Sequence, residues 1–192
     1  MYPIILASGS PRRKEILSQV GYVFSIEPSQ KEEIATSDVP SDFVMQLSRV
    51  KAEDIASQKD GPVIIIGADT VVAVDQTILG KPKDEEHAAK MLRMIAGRDH
   101  EVYTGVTVIV KEIDGTSRYE TFYEKAKVSI ASMSEREIQA YIESKEPMDK
   151  AGAYAIQGKF ACYVNRIEGD YYTIVGLPIA HLYKVIKELT KE

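Results

Sequence analysis

The 192-residue chain sets 24 Lys and Arg against 29 Asp and Glu, and its net charge of −5 argues against long nucleic acid as a partner, which needs a basic face. Its longest apolar stretches, such as "PVIIIGA", fall far short of the ~20 residues that cross a bilayer, and the first residues lack a secretory cleavage pattern. A soluble, cytoplasmic protein with no membrane partner is expected, and the single Cys162, which has no partner for an internal disulfide, fits a reducing compartment.

The first apolar run predicts a strand over 3–7 that stops at Ser8-Gly9-Ser10. Pro11 then suits the first turn of a helix over 11–20, with Ser10 as its cap and Gly21 closing it. A strand over 22–27 and a helix over 42–58 follow. Two further strands, 63–68 and 71–74, flank "DT", and a helix over 84–95 is closed by Gly97. The runs 101–111 and 119–131 read as a hairpin turning at Asp114-Gly115. Ser134 and Glu137 form a capping box for a helix over 135–143. A second hairpin is expected between 160–167 and 171–175, turning at Glu168-Gly169-Asp170, with Cys162 buried in its first strand as a small hydrophobe. The last helix, 178–189, gathers Ile179, Leu182, Val185, Ile186 and Leu189 on a face that packs onto the domain. Strand and helix alternate in the first half and long strands pair in the second, so a mixed α/β fold in one domain is predicted. If it divides into two lobes around a cleft, the boundary falls near 80–84.

The stretch "ILASGSPRRKEIL" carries the first chemistry. A loop at a helix N-terminus offers free N–H groups and partial positive charge, and Gly9 permits close backbone approach. Arg12 and Arg13 add forks that match phosphate oxygens, in a first turn where they oppose the helix dipole. An anion site and a plain connection with two solvated arginines both remain open. Neither the P-loop pattern nor the dinucleotide glycine fingerprint is present.

Asp69 and Thr70 follow a buried-looking strand, where sheet folds present ligand groups. The carboxylate suits a water to be polarised or a metal to be held, and equally an Asx-type turn. Glu32 and Glu33 lie in a loop, Lys51 on a helix and Lys81 before a proline. Together they supply what phosphoryl chemistry needs: cations for oxygens, carboxylates for Mg²⁺ and a group that orients water. Gln157, in a loop of no clear period, can donate and accept at once, which suits the edge of uracil or thymine; tying down its own loop is the alternative. Asp149 and Lys150 suggest a structural ion pair. His87, His100 and His181 lack zinc-site spacing and read as solvated or core residues.

Five blocks stand in order: "LASGSPRR", "GADTVV", "LGKPKDEEHAAKMLRMIAGRDHEVYTGV", "EPMDKAGAYAIQG" and "GDYYTIVGLP". With them the chain resembles, nearly end to end, the Maf family of nucleotide pyrophosphatases, also called septum-formation inhibitor proteins. The resemblance implies an elongated α/β fold of the inosine triphosphatase-like (Maf/Ham1) superfamily with its site between two lobes. It further implies hydrolysis of a nucleoside triphosphate to monophosphate and pyrophosphate, with Mg²⁺ or Mn²⁺ as cofactor, by a homodimer. "SPRR" and "AYAIQG" resemble the dTTP/UTP branch rather than the 7-methyl-GTP branch, which implies activity on some modified pyrimidine nucleotides, a house-cleaning role and a link to cell division arrest. Carried onto this sequence, Asp69 is the proton acceptor, and Arg12, Thr70 and Gln157 sit at positions tied to substrate preference. Ser8, Arg13, Lys51 and Lys81 grip phosphates, and Glu33 joins Asp69 at the metal. One departure is Ala155, where "AYGIQG" is more usual; a backbone that needs positive φ there would be strained by alanine and would shift Gln157. Two rivals stand beside this reading: a non-catalytic nucleotide-binding regulator of septum formation, and a purine-directed pyrophosphatase of the same superfamily. All of it requires Arg13, Glu33 and Asp69 to converge in space.

Overall fold

The computed structural model describes residues 2–191. Among these described residues seven strands form one sheet: β1 (Ile4–Leu6), β2 (Phe24–Ile26), β3 (Val63–Val74), β4 (Thr77–Leu79), β5 (Asp99–Lys111), β6 (Ser117–Ile130) and β7 (Val164–Glu168). Their order is β2-β1-β3-β5-β6-β7, with β4 also on β3. β1 runs parallel to β2 and β3, and the remaining pairs are antiparallel. The helices are α1 (Pro11–Gln19), α2 (Pro40–Ser57), α3 (Glu85–Ile95), α4 (Glu135–Glu143), α5 (Tyr171–Val175) and α6 (Ile179–Thr190). None of the described helices is long and apolar enough to cross a membrane. The mixed α/β expectation therefore holds, and the capping box at Ser134 and Glu137 is formed in both directions.

β3 organises the core because its side chains alternate between two covered faces. Val63 and Ile65 meet Ala52 and Ile55 of α2, while Val71 and Ala73 meet Val44 nearer the start of that helix. On the opposite face Ile64, Ile66 and Ala68 join Leu17, Leu177, Leu182 and Ile186. Farther along that face Val72 and Val74 join Leu92, Ile95, Ile142 and Phe160. The apolar face expected for the last helix packs into the first of these two clusters, with Leu189 half-buried at its edge.

α2 lies very close to the sheet. A Cβ on Gly67 would stand 2.3 Å from the Ser48 carbonyl oxygen, and one on Gly105 would stand 2.4 Å from that of Val44. Gly105 is the register partner of Asp69, so the same close approach brings α2 down over Asp69.

The strands expected at 63–68 and 71–74 are a single strand, because Asp69 and Thr70 keep their pairing opposite Gly105 and Thr104. Asp69 therefore sits in mid-strand, not after a strand and not in an Asx turn. Its surroundings are open for another reason. β1 stops pairing after Leu6 and Ile66, with a last bond from Ala7 N–H to the Ile66 carbonyl (2.8 Å), and β4 joins only at Val72. Between them one edge of β3 has no strand beside it among the described residues.

The second expected hairpin is absent. Asp170, read as a turn residue, caps a helix by accepting from Tyr172 N–H and Thr173 N–H, each at 3.1 Å, so 171–175 is α5. A five-residue apolar run has no period that separates strand from helix, and the cap decides it. The start of the run over 160–167 is also not extended: Lys159–Tyr163 is a 3₁₀ turn and the strand begins at Val164. Phe160 drives the curl by packing among the rings of Tyr141, Tyr154 and Tyr163, at centroid separations of 5.1, 4.8 and 5.4 Å. Cys162 is consequently exposed, not buried in a strand.

Candidate active site

The open edge of β3 is one wall of a cavity of about 400 Å³. The turn after β1 supplies Ser8, Gly9 and Ser10, the first turn of α1 supplies Arg12 and Arg13, and the 149–157 stretch supplies Asp149, Tyr154 and Gln157. Glu33, Lys51, Asp69, Thr70 and Lys81 complete its polar lining. Ser8, Arg12, Arg13, Glu33, Lys51, Asp69, Thr70, Lys81 and Gln157 thus meet in one place, while Glu32 does not line it.

Arg13 is the most constrained of them. Its buried guanidinium donates to the Gly176 carbonyl (Nε, 2.8 Å), to Ser8 Oγ and the Ala68 carbonyl (Nη1, both 2.9 Å), and to Thr70 Oγ1 (Nη2, 3.0 Å). Ala68 is on the unpaired stretch of β3, so Arg13 takes the place of the missing strand. All four acceptors are neutral, and burial pulls the arginine below its ordinary pKa. Positive charge is thereby held against the cavity with no carboxylate bonded to Arg13 among the described residues.

Thr70 is equally committed. Thr104 donates its hydroxyl to the Thr173 carbonyl (2.7 Å), so in the 2.9 Å contact between the two threonines Thr70 is the donor. Its oxygen accepts from Arg13, leaving no hydroxyl proton for a ligand. Arg12 differs: its one bond among the described residues is a long 3.4 Å contact from Nε to the Val175 carbonyl. Ser10 stands at the cap position expected of it, but its side chain makes no capping bond, and α1 has no acidic residue in its first turn. The N-terminal end of α1 is thus left with two arginines and no compensating anion.

The acidic part is equally specific. Lys51 Nζ bonds Asp69 Oδ1 at 2.7 Å and Glu33 Oε1 at 3.1 Å, which ties the helix, the mid-strand aspartate and the 27–39 loop together. Lys51 and Asp69 are nearly enclosed, with side chains 11% and 13% exposed, whereas Glu33 is 55% exposed. No group of three or more His, Cys, Asp or Glu able to hold a metal exists among the described residues. Two carboxylates facing an anion pocket do fit a magnesium-type ion, which commonly takes one or two carboxylates and completes its shell with substrate phosphates. Lys81 and Gln157 are exposed on the rim and make no hydrogen bond among the described residues. Gln157 does not tie down its own loop. Asp149 and Lys150 form the expected ion pair.

Ala155 is not among the described residues of positive φ; the left-handed positions are its neighbours Gly152 (65°) and Ala153 (60°). Alanine at 155 therefore brings no such strain to Gln157.

Tyr154, unremarked in the sequence, forms part of the wall, and its hydroxyl bonds His100 Nε2 at 2.7 Å. No sequence signal links them, since β5 carries one and a 3₁₀-rich loop the other. His100 Nδ1 has no hydrogen-bond partner among the described residues, and burial holds the imidazole down to a pKa of about 4 from its ordinary 6.5. Between these values the unfolded chain takes up a proton that the folded chain refuses. Stability should be complete above pH 6.5 and fall as pH drops toward 4, by up to about 3 kcal/mol. Urea unfolding at pH 7 and pH 4.5 measures this loss, and His100→Gln should reduce it; an equal acid loss in the variant would assign it to other groups.

A family model described as Maf-like protein matches residues 3–189. The dTTP/UTP pyrophosphatase of Lachnoclostridium phytofermentans is 60% identical over 188 residues, covering 98% of this chain and 95% of that protein. The dTTP/UTP pyrophosphatase of Agathobacter rectalis is 49% identical over 201 residues, covering 98% of each. Among solved structures, the Ham1 protein of Staphylococcus aureus aligns with 97% of this chain and 98% of that one, with a TM-score of 0.52 at 13% identity, a likeness of fold alone.

Proposed function

The chain belongs to the Maf-like protein family, and we propose that it hydrolyses dTTP and UTP to the nucleoside monophosphate and pyrophosphate. The observation that carries this reading is the meeting of buried Arg13, loosely held Arg12 and Lys81 with the Glu33–Lys51–Asp69 group in one cavity. Cations neutralise a polyphosphate, and an enclosed carboxylate beside them activates water.

In this reading Arg12, Lys81 and the first turn of α1 hold the phosphates. Asp69 takes a proton from water as its oxygen bonds the α-phosphorus. The bond from that phosphorus to the α,β-bridging oxygen breaks, and pyrophosphate leaves with its charge met by Arg12 and Lys81. Lys51 fixes the Asp69 carboxylate against β3 and links it to Glu33. Arg13 and Thr70 act by shaping the wall from which Asp69 projects, while Gln157 faces the base with a donor and an acceptor. Glu33 and Asp69 would hold Mg²⁺ or Mn²⁺, which supplies charge neutralisation on the phosphates when bound. The cavity is lined from both core clusters on one face of the sheet, which supports two lobes; each cluster draws residues from both sides of 80–84, so nothing supports dividing them at that point of the chain. Family likeness supports a homodimer acting in the cytoplasm.

The test is release of pyrophosphate and monophosphate across dTTP, UTP, modified pyrimidine triphosphates, ITP and GTP, with and without Mg²⁺ or Mn²⁺. Metal-dependent turnover led by dTTP and UTP is expected. Binding without turnover would point to a regulator, and preference for ITP to a purine-directed enzyme; either overturns the proposal.

A further inference from the structure

Resting on the reading of Gln157 as the group that faces the base, a second set of residues emerges outside the cavity. Residues 155–158 form a turn closed by Gly158 N–H donating to the Ala155 carbonyl (3.1 Å), with Ile156 and Gln157 at its corner. Ile156 packs against both main core clusters. Gln157 makes no hydrogen bond of its own among the described residues, so its place in the cavity is set by the backbone that carries it.

That backbone is held at both ends by one hydrogen-bonded pair. Tyr141 O–H donates to Glu146 Oε1 at 2.8 Å while its oxygen accepts from Ala155 N–H at 3.3 Å. Glu146 Oε2 accepts from Lys159 N–H at 3.1 Å. The carboxylate lies against the turn so closely that a Cβ on Gly158 would stand 2.2 Å from Oε1. Burial and the Glu146 carboxylate both push the Tyr141 phenol up, which keeps it a donor toward that carboxylate. A carboxylate offers acceptors to two donors at once; an amide offers one and sets a donor against the other N–H.

We propose that Glu146 and Tyr141 are positioning residues for base selection: they clamp the two ends of the 155–158 turn and so set where the Gln157 amide stands. Glu146→Ala and Tyr141→Phe should each raise KM for dTTP and UTP about tenfold, the worth of one hydrogen bond, with kcat nearly unchanged. They should also narrow the preference for UTP over ITP, and Glu146→Gln should restore part of it. The decisive comparison is a double-mutant cycle with Gln157→Ala. Once the amide is removed, Glu146→Ala should raise KM no further; an equal rise in that background would overturn the proposal. The same cycle read by calorimetry with UMP needs no turnover, so an inactive wild type would sink the enzymatic reading while the clamp is still decided. Amide hydrogen exchange covers loss of folding: faster exchange confined to 155–159 is expected in Glu146→Ala, and faster exchange throughout β3 and β5 would overturn a local role.

Discussion

Asp69→Asn is expected to lower kcat for dTTP by about 10²- to 10⁴-fold, with KM moved by no more than a few-fold. The substitution keeps the size of the side chain, the pairing of β3 with Gly105 and the close seat of α2. It removes the negative charge that Lys51 holds at 2.7 Å and leaves Lys51 with Glu33 at 3.1 Å. The fold should therefore persist and the loss should lie in the chemical step. Titrating Mg²⁺ and Mn²⁺ separates the two roles open to this carboxylate. Loss of a metal ligand raises the metal concentration required and is partly restored at high metal, whereas loss of a proton acceptor is not. Turnover within tenfold of wild type at ordinary metal would remove Asp69 from the reaction.

Much of the site was legible because its groups come in short local patterns. "SGSPRR" announces a turn, a helix start and two cations within six letters, and "EREIQAYIE" follows a capping box that forms as read. The reason Asp69 is accessible was not legible. It depends on β1 pairing no farther than Leu6 with Ile66 and on β4 reaching back only as far as Leu79 opposite Val72, which opens the edge of β3 between them; no letter near Asp69 encodes that gap. The same limit explains Arg13, whose four acceptors come from the loop after β1, the middle of β3 and the turn after α5. It explains Glu146 and Tyr141 too, which sit on and after α4 and act on a turn more than ten residues away. Short apolar runs fail for a local reason: "YYTIV" takes its helical form from the preceding Asp170 and the following Gly176, which closes α5 at φ 120°. "KFACY" takes its curl from the burial of Phe160, leaving Cys162 outside.

The second large effect is expected at Arg13, through structure rather than direct contact. Arg13→Met would leave the Ala68 and Gly176 carbonyls without their guanidinium donor and release Ser8 and Thr70, so unfolding should become easier by roughly 3 to 5 kcal/mol. Arg13→Lys keeps the charge but presents one ammonium where a planar fork reaches four acceptors, so it should recover only part of that stability. Both variants should lower kcat/KM by about 10²-fold or more, because freeing Ala68 and Thr70 lets the strand that carries Asp69 shift by a fraction of an ångström or more. Arg12→Met makes the contrast. Arg12 has a single long bond among the described residues, so its loss should leave the unfolding midpoint nearly unchanged while KM for dTTP rises. Urea midpoints and steady-state kinetics on the three variants test this division of labour. An Arg13→Met protein as stable as wild type would refute the view that this guanidinium stands in for the missing strand beside β3.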